Sequence, residues 1–176
     1  MVTDYHRQTE NALTTLGNEW QKLGKIKKVC RGSEHPLSIV DPRSKHVMNY
    51  QPDVYYVLRN NKKLVFEVLD TELEKQDAIV ADVICSFLVE NVDGLFFLYP
   101  GPASGETTIL EALVTVYRGL VRKGVVESEL PNFKKTGAYL VTKREAGSLV
   151  RIRNKLTKYA NEDGWFKSVP LSKRAT

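Results

Sequence analysis

The chain has 176 residues and a formal net charge of +5, with 26 Lys and Arg residues against 21 Asp and Glu residues. Folding at this length can bury roughly 70% of the extended surface, so no disulfide or metal is needed for stability. A hydrophobic content of 42% excludes a disordered chain. The mild basic excess permits an anionic partner without requiring one. We therefore expect residues 1–176 to form one globular domain.

Cysteine usage and apolar run lengths predict the compartment. Cys30 and Cys85 lie far apart and form no CxxC pair, which favours a reducing environment. The first ten residues lack the apolar core of a signal peptide. Every apolar run is far shorter than the roughly 18 residues that a membrane helix needs. We expect a cytoplasmic protein with no membrane association.

The N-terminal part predicts a helix, a strand and a long loop. An apolar stripe with spacings of three and four predicts a helix over residues 4–23, which Gly24 ends. The stripe consists of Leu13, Leu16, Trp20 and Leu23. Residues 25–30 fit a first strand. Residues 32–50 are polar and contain two prolines, which predicts a loop with room for one short strand.

The middle and C-terminal parts predict alternating strands and helices. Residues 54–58 and 64–69 are rich in β-branched and aromatic side chains, and Asn60-Asn61 between them is a turn signal, so a β-hairpin is expected. The further predicted elements are a helix over 72–89 that Gly94 breaks, a strand over 95–99, a helix over 107–123, a strand over 138–142 and a basic helix over 146–160. This order predicts an α/β fold with a central mixed β-sheet flanked by helices.

Two acids stand at the open end of the predicted hairpin. Asp53 opens the first arm and Glu67 lies near the end of the second, each seven residues from Asn60. They should therefore face each other, where opposed carboxylates among apolar side chains repel and are costly to bury. A cation such as Mg²⁺, which prefers one or two carboxylates with water and phosphate, would offset both costs. The pair thus predicts a metal site suited to phosphodiester hydrolysis.

A family resemblance supports this interpretation. The resemblance rests on two four-residue segments at the open end of the predicted hairpin, Gln51-Pro52-Asp53-Val54 and Phe66-Glu67-Val68-Leu69. They resemble the core of the PD-(D/E)xK nuclease superfamily, which includes restriction endonucleases and archaeal Holliday-junction resolvases, and the element order agrees over residues 4–100. The resemblance implies a restriction-endonuclease-like fold and an endonuclease that cuts DNA with Mg²⁺ or Mn²⁺. It also implies Asp53 and Glu67 as metal ligands, and a homodimer is common among such enzymes.

The rest of the implied site departs from the family pattern. The resemblance implies a first-helix glutamate, either Glu10 or Glu19, of which we favour Glu10. The family lysine should stand two residues after Glu67, where this chain has Leu69. Lys75, near the start of the next helix, is the expected replacement, although it also fits an ordinary exposed lysine. Loss of the strand lysine leaves open a catalytically inactive nuclease-like module that binds nucleic acid or a protein partner.

Plainer interpretations of the same residues remain. A Pro-Asp pair is a common turn feature, and a glutamate on an edge strand faces solvent. His6, His35 and His46 show no metal-ligand spacing. In the basic C-terminal helix, cations near aromatic residues suit phosphate contact and base stacking, but they also suit a solvated helix. The candidate nucleic-acid ligands there are Arg151, Arg153, Lys155 and Lys158.

Overall fold

The structure is a computed structural model that describes residues 3–41, 43–70, 76–101, 104–131 and 136–161. Its elements in chain order are α1 (Asp4–Lys22), β1 (Lys28–Arg31), β2 (Leu37–Val40), β3 (Val47–Tyr50), β4 (Val54–Val57), β5 (Lys63–Val68), α2 (Gln76–Leu88), β6 (Val92–Tyr99), α3 (Ser104–Arg122), β7 (Thr136–Leu140) and α4 (Leu149–Asn161). The predicted first helix, the hairpin and the later alternation of helices and strands are confirmed.

Five strands form a mixed central sheet in the order β1–β4–β5–β6–β7. β1 and β5 each pair antiparallel with β4, whereas β6 pairs parallel with both β5 and β7. The predicted α/β fold with a central mixed sheet flanked by helices is therefore confirmed. β5 lies between two neighbours, so Glu67 does not belong to an edge strand.

The sheet has an apolar core on each face. Helices α1 and α4 cover one face, where a line of rings crosses four strands from Trp20 through Tyr56, Phe66 and Phe96 to Tyr139. Helices α2 and α3, with the β2–β3 pair, cover the other face. Every residue of β6 is buried, as expected for a parallel strand that helices cover on both sides. Alternate residues of β5 therefore enter different cores, and Glu67 lies on the α2 side with Val65 and Leu69.

The polar stretch 32–50 was predicted wrongly, because it contains two strands. β2 and β3 pair antiparallel as a separate hairpin, with Leu37 opposite Tyr50. These two residues are buried, whereas the rest of both strands is exposed or half-buried. A strand pair that buries so few side chains shows no apolar alternation, and that alternation is the main sequence signal for strands.

Several predicted boundaries were also wrong. The first strand begins at Lys28 rather than residue 25, because the amides of Lys25 and Ile26 still bond to the Trp20 carbonyl at the end of α1. Gly94 does not break α2, which ends at Leu88. Gly94 lies within β6, where the pairing with β5 shifts register, and glycine tolerates such irregularities. The last helix begins at Leu149 rather than residue 146.

Asp53 comes immediately before β4, and Glu67 comes immediately before the last residue of β5. Both therefore lie at the edge of the sheet where the parallel strands β5, β6 and β7 end. In α/β sheets this edge commonly holds ligand sites. No helix in the described part of the chain is long and apolar enough to span a membrane.

Candidate acidic metal site

The hairpin register places Asp53 opposite Glu67, as predicted. Val54 pairs with Phe66 in the β4–β5 ladder, so one further step brings the two acids together. The contact is reciprocal, because the backbone N–H of Asp53 bonds to the Glu67 carboxyl group. In return, the backbone N–H of Val68 donates to Asp53 Oδ2 over 2.7 Å. Two crossed side-chain to backbone bonds thus hold both carboxyl groups against the strand ends.

Helix α1 contributes a histidine to Asp53. Thr3 caps the helix and accepts a hydrogen bond from the His6 backbone N–H at 3.2 Å. His6 therefore lies in the first turn, and its Nε2 lies 2.9 Å from Asp53 Oδ1. Both side chains are 21% exposed, so water reaches this side of the site. Sequence spacing missed His6, because its partner is 47 residues away.

Glu67 is the buried member of the pair, with 5% of its surface exposed. Burial, followed by the negative charges of Asp53 and Asp82, raises the pKa of Glu67 well above its usual range. The hydroxyl of Tyr50 bonds to Glu67 Oε1 and lies 2.6 Å from Ser86 Oγ. Ser86 in turn donates to the Asp82 carbonyl over 2.7 Å. A buried chain of hydrogen bonds therefore links Glu67 to helix α2.

Hydrogen counting in this chain agrees with a neutral Glu67. The three bonds between Glu67, Tyr50, Ser86 and the Asp82 carbonyl require three hydrogens. The two hydroxyl groups supply one each. Burial beside Glu67 raises the pKa of Tyr50, so this hydroxyl keeps its hydrogen. A proton on Glu67 supplies the third, which is the charge state expected of a carboxyl group desolvated beside other acids.

Tyr50→Phe tests the importance of this chain for stability. Removal of the hydroxyl takes a buried partner from both Glu67 and Ser86, which should lower the free energy of unfolding by about 1–3 kcal/mol. Urea denaturation measures the change. The matched control is Tyr55→Phe, which removes one hydrogen bond of 3.1 Å to the His35 carbonyl. A loss in Tyr50→Phe no larger than in the control would contradict the interpretation.

Leu69, which stands where the nuclease family has its strand lysine, lies inside the apolar core. Leu69 is 2% exposed and packs in the core between the sheet and helices α2 and α3. A lysine there would bury its ammonium group at a cost. Lys75, the expected replacement, lies outside the described residues.

The two candidate glutamates of α1 have other partners. Glu10 pairs with Arg31, whose NH1 lies 3.3 Å from Glu10 Oε1. Glu19 pairs with Arg153 of α4. The α1 side chain in contact with Asp53 is therefore His6 rather than the favoured Glu10.

Some of the basic side chains in the C-terminal helix contact the rest of the protein, and others face solvent. Arg151 is exposed, whereas Arg153 is half-buried against Glu19. Lys155 and Lys158 belong to α4, but their side chains are not among those that the structure describes. Residues 162–176 also lie outside the described residues.

The donor set fits a hard cation that needs few protein ligands. Within the described residues, no three His, Cys, Asp or Glu side chains form a metal-binding group. Asp53 and Glu67 offer oxygen atoms, and a carboxylate oxygen that accepts one hydrogen bond keeps a second acceptor position. Mg²⁺ is commonly held by one or two carboxylates, with water and substrate phosphate as its other ligands.

Comparisons with known proteins assign no family to this site. No family model matches the chain, and neither the curated proteins nor the solved structures contain a match to it.

Proposed function

We propose that this chain is a cytoplasmic, metal-dependent endonuclease of the PD-(D/E)xK type that hydrolyses DNA phosphodiester bonds. Asp53 and Glu67 bind Mg²⁺ or Mn²⁺. The crossed bonds between these two residues and the opposing backbone carry the proposal, because they hold two carboxyl groups in place before a ligand arrives. A buried acid such as Glu67, whose pKa is raised by burial and by neighbouring carboxylates, is typical of functional sites.

Each side chain has a separate task in this proposal. Asp53 and Glu67 would hold the cation, which would supply an activated water and charge stabilisation at the leaving oxygen. His6 and the Val68 N–H orient the two oxygens of Asp53. Tyr50 holds Glu67 from the buried side. The partly exposed Asp53 faces the solvent from which DNA approaches.

Cleavage of supercoiled plasmid and of branched DNA tests the proposal. Wild-type protein should cut in Mg²⁺ or Mn²⁺ but not in EDTA, and Asp53→Ala should cut at least about a hundredfold more slowly, since the cation is worth several kcal/mol. The matched control is Glu34→Ala, which removes an exposed carboxylate and should cut as wild type does. Metal-independent cutting, or full activity in Asp53→Ala, would contradict the proposal.

A second function is a nuclease-like module that binds nucleic acid without cutting it. The burial of Leu69 favours this alternative, because the strand position that normally carries the lysine is directed into the core. DNA retarded on a gel by wild-type protein, with no cleavage in either metal, would select the binding module over the nuclease.

A further inference from the structure

A strongly basic surface lies at the end of the hairpin remote from Asp53. Two short segments, residues 22–28 and 59–63, contain seven of the 26 basic residues and none of the 21 acids. We call this surface the lysine patch, which consists of Lys22, Lys25, Lys27, Lys28, Arg59, Lys62 and Lys63. Its seven charges exceed the net charge of the whole chain, which is +5.

Direct contacts hold the two segments of the patch together. The backbone N–H of Lys27 donates to the Val57 carbonyl over 2.8 Å, next to the hairpin turn. The side chain of Lys27 donates to Asn61 Oδ1 over 2.9 Å. Arg59 reaches the Gly24 carbonyl at 3.3 Å. The patch is therefore one continuous surface on a folded scaffold rather than two unrelated charge runs.

The charges of the patch are poorly compensated by acids. Lys62 pairs with Asp93 at a long 3.8 Å, and the other six cations have no ion-pair partner among the described residues. Burial lowers the pKa of Lys63 against the opposing effect of the Glu90 carboxylate, and Lys63 Nζ donates to the Glu90 carbonyl over 3.0 Å. The other patch lysines have exposed side chains. Like charges held this close repel one another. Such a surface is stabilised when a polyanion covers it.

We propose that the lysine patch binds the phosphate backbone of double-stranded DNA. The choice of DNA rests on the proposed function, and the path between the two sites agrees with it. β1 is the edge strand, with Lys28 at the patch and Arg31 opposite Val54, the residue after Asp53. Lys28 and Arg31 lie three strand steps apart, roughly 10 Å, and the phosphates of one DNA strand recur about every 3.4 Å along the helix axis. A duplex that lies along this edge would reach from Lys28 to Arg31 within about three base pairs.

A lipid surface fits the patch less well. Cation clusters attract anionic lipid headgroups, but stable peripheral membrane binding adds a buried apolar face or a lipid anchor to them. Leu23, at 68% exposure, is the one large apolar side chain of the two segments that is strongly exposed. The patch offers charges and the amides of Asn60 and Asn61, which suit phosphates and sugars.

The test compares two variants that each remove three exposed positive charges. The patch variant combines Lys22→Gln, Lys25→Gln and Lys28→Gln, and the matched control combines Arg43→Gln, Arg122→Gln and Lys123→Gln. Binding of a short labelled duplex is measured in EDTA over a range of salt concentrations, so the result does not depend on cleavage. The patch variant should bind about tenfold more weakly, with a salt slope reduced by about three, while the control binds as wild type does.

Circular dichroism and thermal unfolding confirm that both variants fold. The patch variant should stay close to wild type in stability, because relieved repulsion offsets the loss of the Lys25 ammonium group 5.8 Å from the centre of the Trp20 ring. Equal binding by wild type and patch variant, or equal losses in both variants, would overturn the inference. Tighter binding to vesicles of phosphatidylserine and phosphatidylcholine than to DNA would overturn it as well. Patch-dependent DNA binding without any metal-dependent cleavage would keep the inference and reject the nuclease.

Discussion

Glu67→Gln is expected to abolish metal-dependent cleavage while making the folded chain more stable at neutral pH. Glutamine has nearly the shape of the neutral carboxyl group, and its amide can supply the hydrogen that the chain through Tyr50 and Ser86 requires. It carries no charge to bind a cation, so cleavage should fall at least about a hundredfold. It also carries no charge to be desolvated beside Asp53 and Asp82, which removes a cost of burial. Opposite effects on activity and stability are a mark of functional residues.

The stability difference should depend on pH with a defined sign. The pKa of Glu67 is raised in the folded chain above the ordinary value of 4.5. The unfolded chain therefore loses its proton first as the pH rises. The stability that neutral Glu67 contributes is fully present below about 4.5, and it is lost at about 1.4 kcal/mol per pH unit until the folded pKa is reached.

Urea denaturation of wild type and Glu67→Gln in EDTA across this pH range measures the difference. The two proteins should be similarly stable at acid pH, and the variant should gain an advantage of more than about 1 kcal/mol as the pH approaches neutrality. The exposed Glu34→Gln serves as the control and should show a flat difference. A flat curve for Glu67→Gln would show that Glu67 ionises normally, and retained cleavage would show that it is not a metal ligand.

Gly32→Ala is expected to destabilise the chain by about 3 kcal/mol or more and to disturb the acidic site. A Cβ atom at Gly32 would lie 1.9 Å from the Pro52 carbonyl oxygen and 2.6 Å from the Pro52 nitrogen. These are backbone atoms that no rotamer change can move, so the cost exceeds that of ordinary overpacking. Pro52 precedes Asp53, and the Gly32 N–H donates to the Asp53 carbonyl at 3.4 Å. Relief of the clash must move the backbone at residue 32 or at Pro52, and either movement strains the Gly32–Asp53 hydrogen bond beside the acidic site.

Chemical denaturation and the plasmid assay at low temperature measure both consequences. The matched control is Gly119→Ala in the exposed part of α3, where a Cβ meets nothing within 4 Å. This control should gain about 0.5–1 kcal/mol, because alanine favours helix over glycine. If Gly32→Ala were as stable as wild type, the close approach of the two backbone segments would be refuted.

Local patterns in the sequence determined much of the fold and the position of the acidic pair. The stripe from Leu13 to Leu23 predicted α1, because helical periodicity is contained within a few turns. The turn at Asn60 and Asn61, where Asn61 has a positive φ of 64°, set the hairpin register. That register alone placed Asp53 opposite Glu67, since position along two paired strands follows from the distance to the turn.

The tertiary structure decided which side chains surround that pair and what charge Glu67 carries. His6 of α1 contacts Asp53, Tyr50 of β3 contacts Glu67, and Ser86 of α2 bonds to Tyr50. No spacing in the chain indicates such contacts. The sequence also did not indicate that Glu10 forms an ion pair with Arg31. Nor did it indicate the lysine patch, whose two segments meet through the β1–β4 pairing. Contacts between distant segments depend on how faces pack, and burial shifts a pKa through the surroundings of the group rather than through its neighbours in sequence.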